Sequence, residues 1–189
     1  MKSIFKIHIS SNIDDNINNA LWKTAKLSQI CNIVYGKGLP TTNLTDSGYP
    51  VYGGNGIIGF YNKYLYNEHK VLISCRGVAS GNVLYSIPYS FVTSNSLVLN
   101  IVDNRFTFEY LYLLALTIDF KSKVTGSAQP QLTVENIKDL DLLVVDRDTL
   151  TFITKTIRSY INQIDINVEE INNLVKIKDS LLNNLAKRQ

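Results

Sequence analysis

The stretch from about Asp148 to Ala186 constrains the fold most, because its nearly forty residues contain neither glycine nor proline. Apolar residues recur in it at alternating spacings of four and three, which is the a/d repeat of a coiled coil. A continuous helix of this length would extend roughly 55 Å at 1.5 Å per residue. We expect its apolar seam to pack against a partner helix; the alternative is that it packs onto the preceding domain as an ordinary core helix. The seam comprises Ile157, Ile161, Ile164, Val168, Ile171, Val175, Lys178, Leu182 and Leu185.

The residues before this stretch, from about 22 to 147, have the composition of a strand-rich domain. Nine of the ten glycines lie between Gly36 and Gly81, and with the four prolines they divide the zone into short apolar runs typical of strands. The spacing predicts one helix at about 107–118 and a short one at 133–140, with Thr133 as its N-cap. The predicted fold class is α/β, of the α+β type. We expect an N-terminal extension (1–21), a mixed strand-rich domain (22–147) and a long C-terminal coiled-coil helix (148–189).

Charge and cysteine content narrow the class of protein further. The 19 Lys and Arg residues exceed the 16 Asp and Glu residues by only three, so any contact with nucleic acid must come from local placement of basic side chains. Cys31 and Cys75 lie far apart behind an N-terminus without a secretory signal pattern, which favours reduced thiols and a cytoplasmic location. No run approaches about 18 uninterrupted apolar residues, so we expect no membrane span.

The motifs that catalysis would require are missing. Gly54 to Gly59 has the letters of a dinucleotide fingerprint, but strand-like residues follow where a helix should begin, so a tight turn with Asn55 at its tip is the better interpretation. The histidines and cysteines lack metal-ligand spacing, so we expect no metal, no cofactor and no independent enzyme. The one cluster of carboxylates precedes the long helix, where a structural role is expected. It comprises Asp139, Asp141, Asp146 and Asp148.

Polar and basic residues on glycine-marked loops remain as candidates for binding DNA. Arg suits guanine and Asn or Gln suits adenine through paired hydrogen bonds in the major groove, whereas Lys suits phosphates. For any single residue, a solvated turn is the alternative interpretation. The candidates are Lys37, Thr41, Asn55, Asn62, Arg76, Ser80, Asn82, Lys121, Lys123, Ser127, Gln129 and Gln131.

From about Trp22 onward the chain resembles the specificity subunits of type I restriction-modification systems. The resemblance rests on the order and spacing of four segments: WKTAKLSQICNIVYGKGLP, YPVYGGNGIIGFYNKYLYNEHKVLISCRGVASGNV, GSAQPQLTVENIKDLDLLV and a terminal helix ending in KIKDSLLNNL. It implies a target recognition domain followed by a spacer helix, and a non-catalytic subunit that reads double-stranded DNA. The implied partner is a separate methyltransferase subunit. Whether a restriction subunit also joins the complex stays open.

Two departures from the family pattern shape this expectation. Family members usually carry two recognition domains and two spacer helices, whereas this sequence has one of each, and it has VVDRDTLTFITKTI where the family commonly shows a Pro and a Glu-Gln pair. We expect two copies to pair through the seam, parallel or antiparallel, and to recognise a palindromic, gapped DNA site. The alternatives are a half-subunit with a non-identical partner, an orphan or truncated module that modulates specificity, and a protein that only oligomerises through its coiled coil.

Overall fold

The computed structural model describes residues 23–186, and the extension expected at residues 1–21 lies outside them. Within this range nine strands and four α-helices give the α+β arrangement expected from the sequence. The strands are β1 (Lys23–Lys26), β2 (Cys31–Tyr35), β3 (Tyr49–Gly53), β4 (Gly56–Tyr61), β5 (Lys70–Ser74), β6 (Val83–Ser86), β7 (Phe91–Val92), β8 (Ser96–Ile101) and β9 (Asp141–Val144). The helices are α1 (Leu27–Ile30), α2 (Phe108–Thr117), α3 (Val134–Ile137) and α4 (Arg147–Ala186).

A four-stranded antiparallel sheet in the order β2-β8-β5-β6 forms the centre of the domain. Its middle strands β5 and β8 are covered on both faces, which explains why they are continuous apolar runs in the sequence instead of alternating ones. Tyr35 pairs with Leu97, and Ser74 pairs with Ser96. This register brings the ends of β2 and β5 and the beginnings of β6 and β8 to the same end of the sheet.

A smaller three-stranded sheet, β4-β3-β7, covers one face of the central sheet. The two are joined by a compact apolar cluster of Tyr52, Leu72, Val92 and Val98. Strands β3 and β4 form a hairpin with Asn55 at its exposed tip, as predicted. Gly56 follows at φ +109°, a conformation that side-chain-bearing residues rarely adopt, so the turn depends on this glycine.

The main core lies on the other face of the central sheet, around α2. Thr107 caps this helix, since its Oγ1 accepts a hydrogen bond from the amide of Tyr110 at 3.4 Å. The predicted bounds of α2 are confirmed, but it is buried on two sides because it lies between the sheet and α4. The hydroxyl of Tyr110 accepts from the amide of Val145 at 3.1 Å and so ties α2 to the connection that leads into α4.

Helix α4 begins directly after Asp146, which acts as its N-cap. The Asp146 carboxylate accepts from the amide of Thr149 at 3.0 Å and from its hydroxyl at 2.9 Å. This is the structural role predicted for the carboxylate cluster at this position. The 40 residues of α4 extend about 60 Å at 1.5 Å per residue.

The helix is covered by the domain over only part of its length. In its proximal segment (147–165), Ile157 and Ile161 are 1% and 3% exposed and belong to the main core with Leu150 and Ile153. In its distal segment (166–185), every side chain is exposed. The expectation that the whole seam faces a partner helix is therefore wrong for Ile157 and Ile161, because the chain's own domain already covers them.

Both cysteines are buried and free. Burial raises the pKa of Cys31 to about 12, so this thiol stays protonated and is shielded from oxidants. In residues 23–186 no helix combines the length and the apolar character that a membrane span requires.

Candidate nucleic-acid interface

Five segments that are far apart in the sequence meet at one end of the central sheet. We call them the loop cluster, and they are residues 36–38, 53–56, 75–82, 93–96 and 120–131. Lys37 follows β2, Arg76 follows β5, Asn82 precedes β6, and Asn95 precedes β8. The antiparallel register brings all four to the same edge, so the sheet supplies a rigid base for the loops.

Two buried serines join the β3–β4 hairpin to this edge. The hydroxyl of Ser96 donates to the carbonyl of Gly53 at 3.1 Å, and the hydroxyl of Ser74 donates to the carbonyl of Gly54. Both serines are fully buried at paired positions of β5 and β8. The hairpin tip that carries Asn55 is therefore held beside the loop that carries Arg76.

The segment around Pro130 joins the cluster through the backbone. The amide of Gly77 donates to the carbonyl of Pro130 at 2.9 Å, and the amide of Leu132 donates to the carbonyl of Cys75 at 3.0 Å. Arg76 and Gln131 consequently form a β-bridge across a separation of 55 residues. Their side chains are both exposed at the same edge.

Gly81 allows the turn of residues 120–123 to pack against the 75–82 loop. Its φ is +85°, and a Cβ there would lie 2.8 Å from the amide nitrogen of Lys121. Any larger residue would push this turn away. The close contact places Lys121 and Lys123 within the cluster.

Positive charge is concentrated in the loop cluster. The five segments contain four cations and no Asp or Glu, a local formal charge of +4 against +3 for the whole chain. All four side chains are exposed, and none forms a salt bridge with a carboxylate of the described residues. The cations are Lys37, Arg76, Lys121 and Lys123. Such a surface attracts the phosphates of a nucleic acid.

The structure places the predicted residues unevenly. Nine of the twelve lie in the cluster with exposed or half-buried side chains: Lys37, Asn55, Arg76, Asn82, Lys121, Lys123, Ser127, Gln129 and Gln131. Ser80 is also in the cluster but only 3% exposed, and its hydroxyl donates to the carbonyl of Pro130 at 3.2 Å. It therefore holds the loops together and does not present a donor at the surface.

Thr41 and Asn62 lie outside the cluster. Asn62 follows β4 at the end of the hairpin opposite to Asn55, because Tyr61 pairs with Tyr49 while Gly56 pairs with Gly53. Thr41 begins a short 3-10 turn that precedes the bridge between Thr45 and Phe60. The described contacts give neither residue a place beside Arg76.

The sequence analysis missed the segment between β7 and β8. Asn95 is exposed there, and its backbone carbonyl accepts from the amide of Cys75 at 2.9 Å, which places it next to Arg76. The polar run Thr93-Ser94-Asn95-Ser96 between two apolar strands is a turn signal. It contains no glycine, so it does not belong to the glycine-marked loops.

A second group of basic residues lines a groove of about 1140 Å³ at the opposite end of the domain, beside the start of α4. Arg105 and Arg158 in this groove are paired with the carboxylates of Asp103 and Glu109. Lys23, Arg147 and Lys155 complete its basic lining. Because part of its charge is neutralised, this groove is the weaker candidate for binding a polyanion.

The distal segment of α4 is a second surface without a partner among the described residues. The seam residues Ile171 and Leu182 are 59% and 56% exposed. The apolar surface is wider than the a/d seam, because Leu174, Ile177 and Leu181 are exposed beside it. Lys178 forms a salt bridge with its neighbour Asp179 at 3.2 Å and leaves the seam accessible.

No group of three or more His, Cys, Asp or Glu side chains in residues 23–186 is arranged to hold a metal ion. The arrangement offers loops rich in hydrogen-bond donors on a rigid sheet and an apolar rod that leaves the sheet. It is suited to binding a long polar ligand and a protein partner.

Comparisons with known proteins agree with this geometry. Residues 19–176 match the family described as "Type I restriction modification DNA specificity domain". The specificity subunit of the type I restriction enzyme EcoprrI from Escherichia coli is 23% identical over 136 residues, which are 72% of this chain and 33% of that protein.

Solved structures show the same fold. The type I restriction-modification S subunit from M. genitalium matches with a TM-score of 0.68 at 16% identity, over 85% of this chain and 43% of that one. The HsdS subunit from Thermoanaerobacter tengcongensis matches with a TM-score of 0.51 at 13% identity, over 87% of this chain and 48% of that one. The chain thus spans a third to a half of the length of these relatives. Because the family match covers most of the chain, this protein belongs to the type I restriction-modification DNA specificity family.

Proposed function

We propose that this chain is a non-catalytic DNA-recognition subunit, which brings a separate methyltransferase subunit to a bipartite DNA site. The observation that carries the proposal is the loop cluster. Five segments converge on one rigid edge and bring four cations and several exposed amide side chains together. Phosphate contacts from cations fix the position of a protein on DNA, and amide and guanidinium groups read the base edges.

Within the cluster, different side chains suit different tasks. Arg76 and Gln131 are bridged neighbours on a backbone held by several hydrogen bonds, so they are the candidates for reading bases. Asn55 at the hairpin tip and Asn95 next to it extend the same surface. Lys37, Lys121 and Lys123 would contact phosphates, whose recognition needs charge more than fixed geometry.

A homodimer is the assembly that we infer for this reader. The distal segment exposes Ile171, Val175, Leu182 and Leu185 on one face, and such an exposed apolar seam is typical of paired helices. Two copies that pair through this face would present two identical loop clusters. By two-fold symmetry they would read the same half-sequence twice, in a palindromic and gapped site.

The methyltransferase subunit is the second proposed partner. One partner helix covers the a/d seam, whereas Leu174, Ile177 and Leu181 widen the exposed apolar face beyond that seam. A helix with so wide an apolar face suits contact with more than one neighbour. A restriction subunit would then join through the assembled complex.

The test is the native mass of the purified chain, alone and after mixing with the methyltransferase subunit of the same system, followed by sequencing of methylated bases in cells that express both. We expect a dimer that enters a larger complex and methylates a palindromic, gapped site. A chain that binds neither DNA nor the methyltransferase subunit would refute the proposal and favour a module that only oligomerises. Methylation of an asymmetric site would favour pairing with a different half-subunit.

Arg76→Ala tests the reading surface directly. If Arg76 reads a base, affinity should fall by about 1–3 kcal/mol and specificity should relax at one position. Arg105→Ala is the matched control, because Arg105 lies beyond the other end of β8 and is paired with Asp103. Equal DNA affinity and equal sequence preference for wild type and Arg76→Ala would remove Arg76 from the interface.

A further inference from the structure

Asp165 is the last residue of α4 that the domain holds. From Ile166 onward every side chain up to Leu185 is exposed. Both oxygens of the Asp165 carboxylate accept hydrogen bonds: His69 Nε2, directly before β5, donates to Oδ2 at 2.8 Å, and the hydroxyl of Tyr85 on β6 donates to Oδ1 at 2.9 Å. The helix is therefore fastened by two polar contacts at the point where it leaves the domain.

The two donors are themselves held in place by aromatic packing. The imidazole ring of His69 stacks on Phe108, with ring centroids 4.9 Å apart and an interplanar angle of 20°. The ring of Tyr85 packs edge-on against Phe108 at 5.8 Å and against Tyr112 at 5.2 Å. Both of these aromatic residues belong to α2, so sheet, α2 and α4 meet at this point. A carboxylate that binds two such preorganised donors has one preferred position.

The raised pKa of Tyr85 agrees with the same arrangement. Burial raises the pKa of Tyr85, and the hydrogen bond to Asp165 and its negative charge raise it further. The phenol therefore stays protonated and remains a donor to the carboxylate. Since both carboxylate oxygens are occupied, the group is arranged to hold Asp165 in place.

Because this contact lies where the helix leaves the domain, a small change of helix direction there displaces the far end of the distal segment. Two further polar contacts between α4 and the domain lie nearer its start: Thr154 with Thr107 at 2.9 Å and Arg158 with Glu109 at 2.6 Å. The distal segment extends about 30 Å beyond Asp165 at 1.5 Å per residue. A change of about 10° in direction at Asp165 would therefore move its far end by about 5 Å, which exceeds the 3.4 Å rise of one base pair.

We propose that Asp165, His69 and Tyr85 are positioning residues that fix the direction in which the distal segment leaves the domain, and thereby the spacing between the two DNA half-sites. The part about spacing rests on the proposed function, because spacing has a meaning only in an assembly with two reading domains. The part about direction concerns the single chain and can be tested without DNA.

The first measurement is the distance between spin labels on the domain and on the distal segment, by pulsed electron paramagnetic resonance. Asn32→Cys on β2 and Asn184→Cys near the far end of the distal segment provide exposed sites, whereas both native cysteines are buried. Dilution with unlabelled chains restricts the signal to pairs within one chain. We expect one narrow distance distribution in the parent chain and a distribution shifted or broadened by about 5 Å in Asp165→Ala, as the lever arm of the distal helix requires.

Matched variants separate an effect on the direction of the distal segment from an effect on the stability of the fold. Tyr85→Phe removes one hydroxyl and should change the distribution in the same sense, but less. Asp165→Asn should retain the parent distribution, because an amide can accept from Tyr85 and donate to a neutral imidazole. Asp179→Ala removes an exposed carboxylate of the distal segment and should change nothing. Melting temperatures confirm that each variant is folded, and Tyr85→Phe serves as the test if Asp165→Ala unfolds.

The second measurement is DNA methylation by the complete complex on sites with spacers one base pair shorter or longer. For Asp165→Ala we expect the preference for the best spacer to fall about tenfold, equivalent to about 1.4 kcal/mol.

An unchanged label distance in Asp165→Ala and Tyr85→Phe would overturn the inference whether or not the chain binds DNA. A changed distance with an unchanged spacer preference in a complex that methylates DNA would overturn the assignment of spacing. Failure of the parent complex to methylate would refute the proposed function, and the label distances would still decide the role of Asp165.

Discussion

The proximal and distal segments of α4 follow one hydrophobic repeat but meet opposite surroundings. Ile157 in the proximal segment is 1% exposed and belongs to the main core, whereas Ile171, two heptads later in the same seam, is 59% exposed. Both are isoleucines at the same seam position. The repeat therefore determines which face of the helix is apolar, and only the tertiary fold determines what covers that face.

The difference in burial also gives the two segments of α4 different roles. The proximal segment completes the core of the strand-rich domain, so it contributes to folding of the single chain. The distal segment contacts nothing in the single chain, so its exposed apolar face is free to contact a second copy. We infer that this segment serves association.

The largest effect should come from a charge in the proximal seam. Ile157→Asp places a carboxylate without a partner in the main core, so we expect a loss of about 4 kcal/mol or more in the free energy of unfolding. Thermal and urea denaturation, followed by circular dichroism, measure it. The matched change in the distal segment, Ile171→Asp, should leave the unfolding of the domain unchanged at protein concentrations where the chain is monomeric. Equal destabilisation by both changes would contradict the division between the two segments.

The next effect concerns association through the distal seam. Leu182→Asp removes, from both copies, a leucine that we expect to be partly buried between them, a combined loss of about 2–3 kcal/mol and hence about 100-fold in the dimer dissociation constant. Sedimentation equilibrium measures this constant. Asn183→Asp adds the same charge on the polar face of the helix and is the control. A dimer that tolerates Leu182→Asp as well as the control would exclude the seam as its interface.

Sequence reasoning predicted the elements better than their partners. The start of α4, the bounds of α2 and the cap at Thr133 follow from local signals such as the seam, the capping residues and the absence of glycine. The coverage of Ile157 and Ile161 could not be predicted this way, because a seam residue packed on its own domain looks the same in sequence as one packed on a second chain.

The loop cluster shows the same limit. The sequence shows Arg76 and Gln131 in separate glycine-marked loops, but their bridge depends on how the segment after β5 and the 125–132 segment pair. The burial of Ser80 and the position of Asn95 also depend on these pairings. Asp165 carries no signal in the sequence, because its neighbourhood is that of a solvated helix residue and its partners His69 and Tyr85 are 96 and 80 residues away.

A smaller effect on dimer affinity should come from the polar position of the distal seam. Lys178 is the polar member of the seam, and in a dimer it must extend its charge out of the interface. Lys178→Leu should tighten the dimer by about 1 kcal/mol, because it adds apolar area and its exposed salt bridge with Asp179 contributes little. Lys176→Leu, on the polar face, is the control in the same sedimentation assay. Weaker association of Lys178→Leu than of the control would mean that Lys178 contacts an acidic group of the partner.

The smallest effect concerns the polar contact that supports the proximal segment. Burial tends to raise the pKa of Glu109, but the hydrogen bond and charge of Arg158 and a backbone hydrogen bond outweigh it, so the pKa lies below its usual value. A carboxyl whose folded pKa is lowered stabilises the fold above its unfolded pKa of about 4.3, and this contribution is lost as the pH falls further. Glu109→Gln should therefore cost about 0.5–1 kcal/mol at neutral pH, a modest amount because the Arg158 side chain is half exposed. The difference in the free energy of unfolding between Glu109→Gln and the parent should vanish in acid.

Glu135→Gln, which removes an exposed carboxylate paired with Lys138, is the control for urea denaturation across this pH range. A deficit of Glu109→Gln that persists below the titration range would mean that packing, and not the ion pair with Arg158, is what Glu109 contributes to holding the proximal segment.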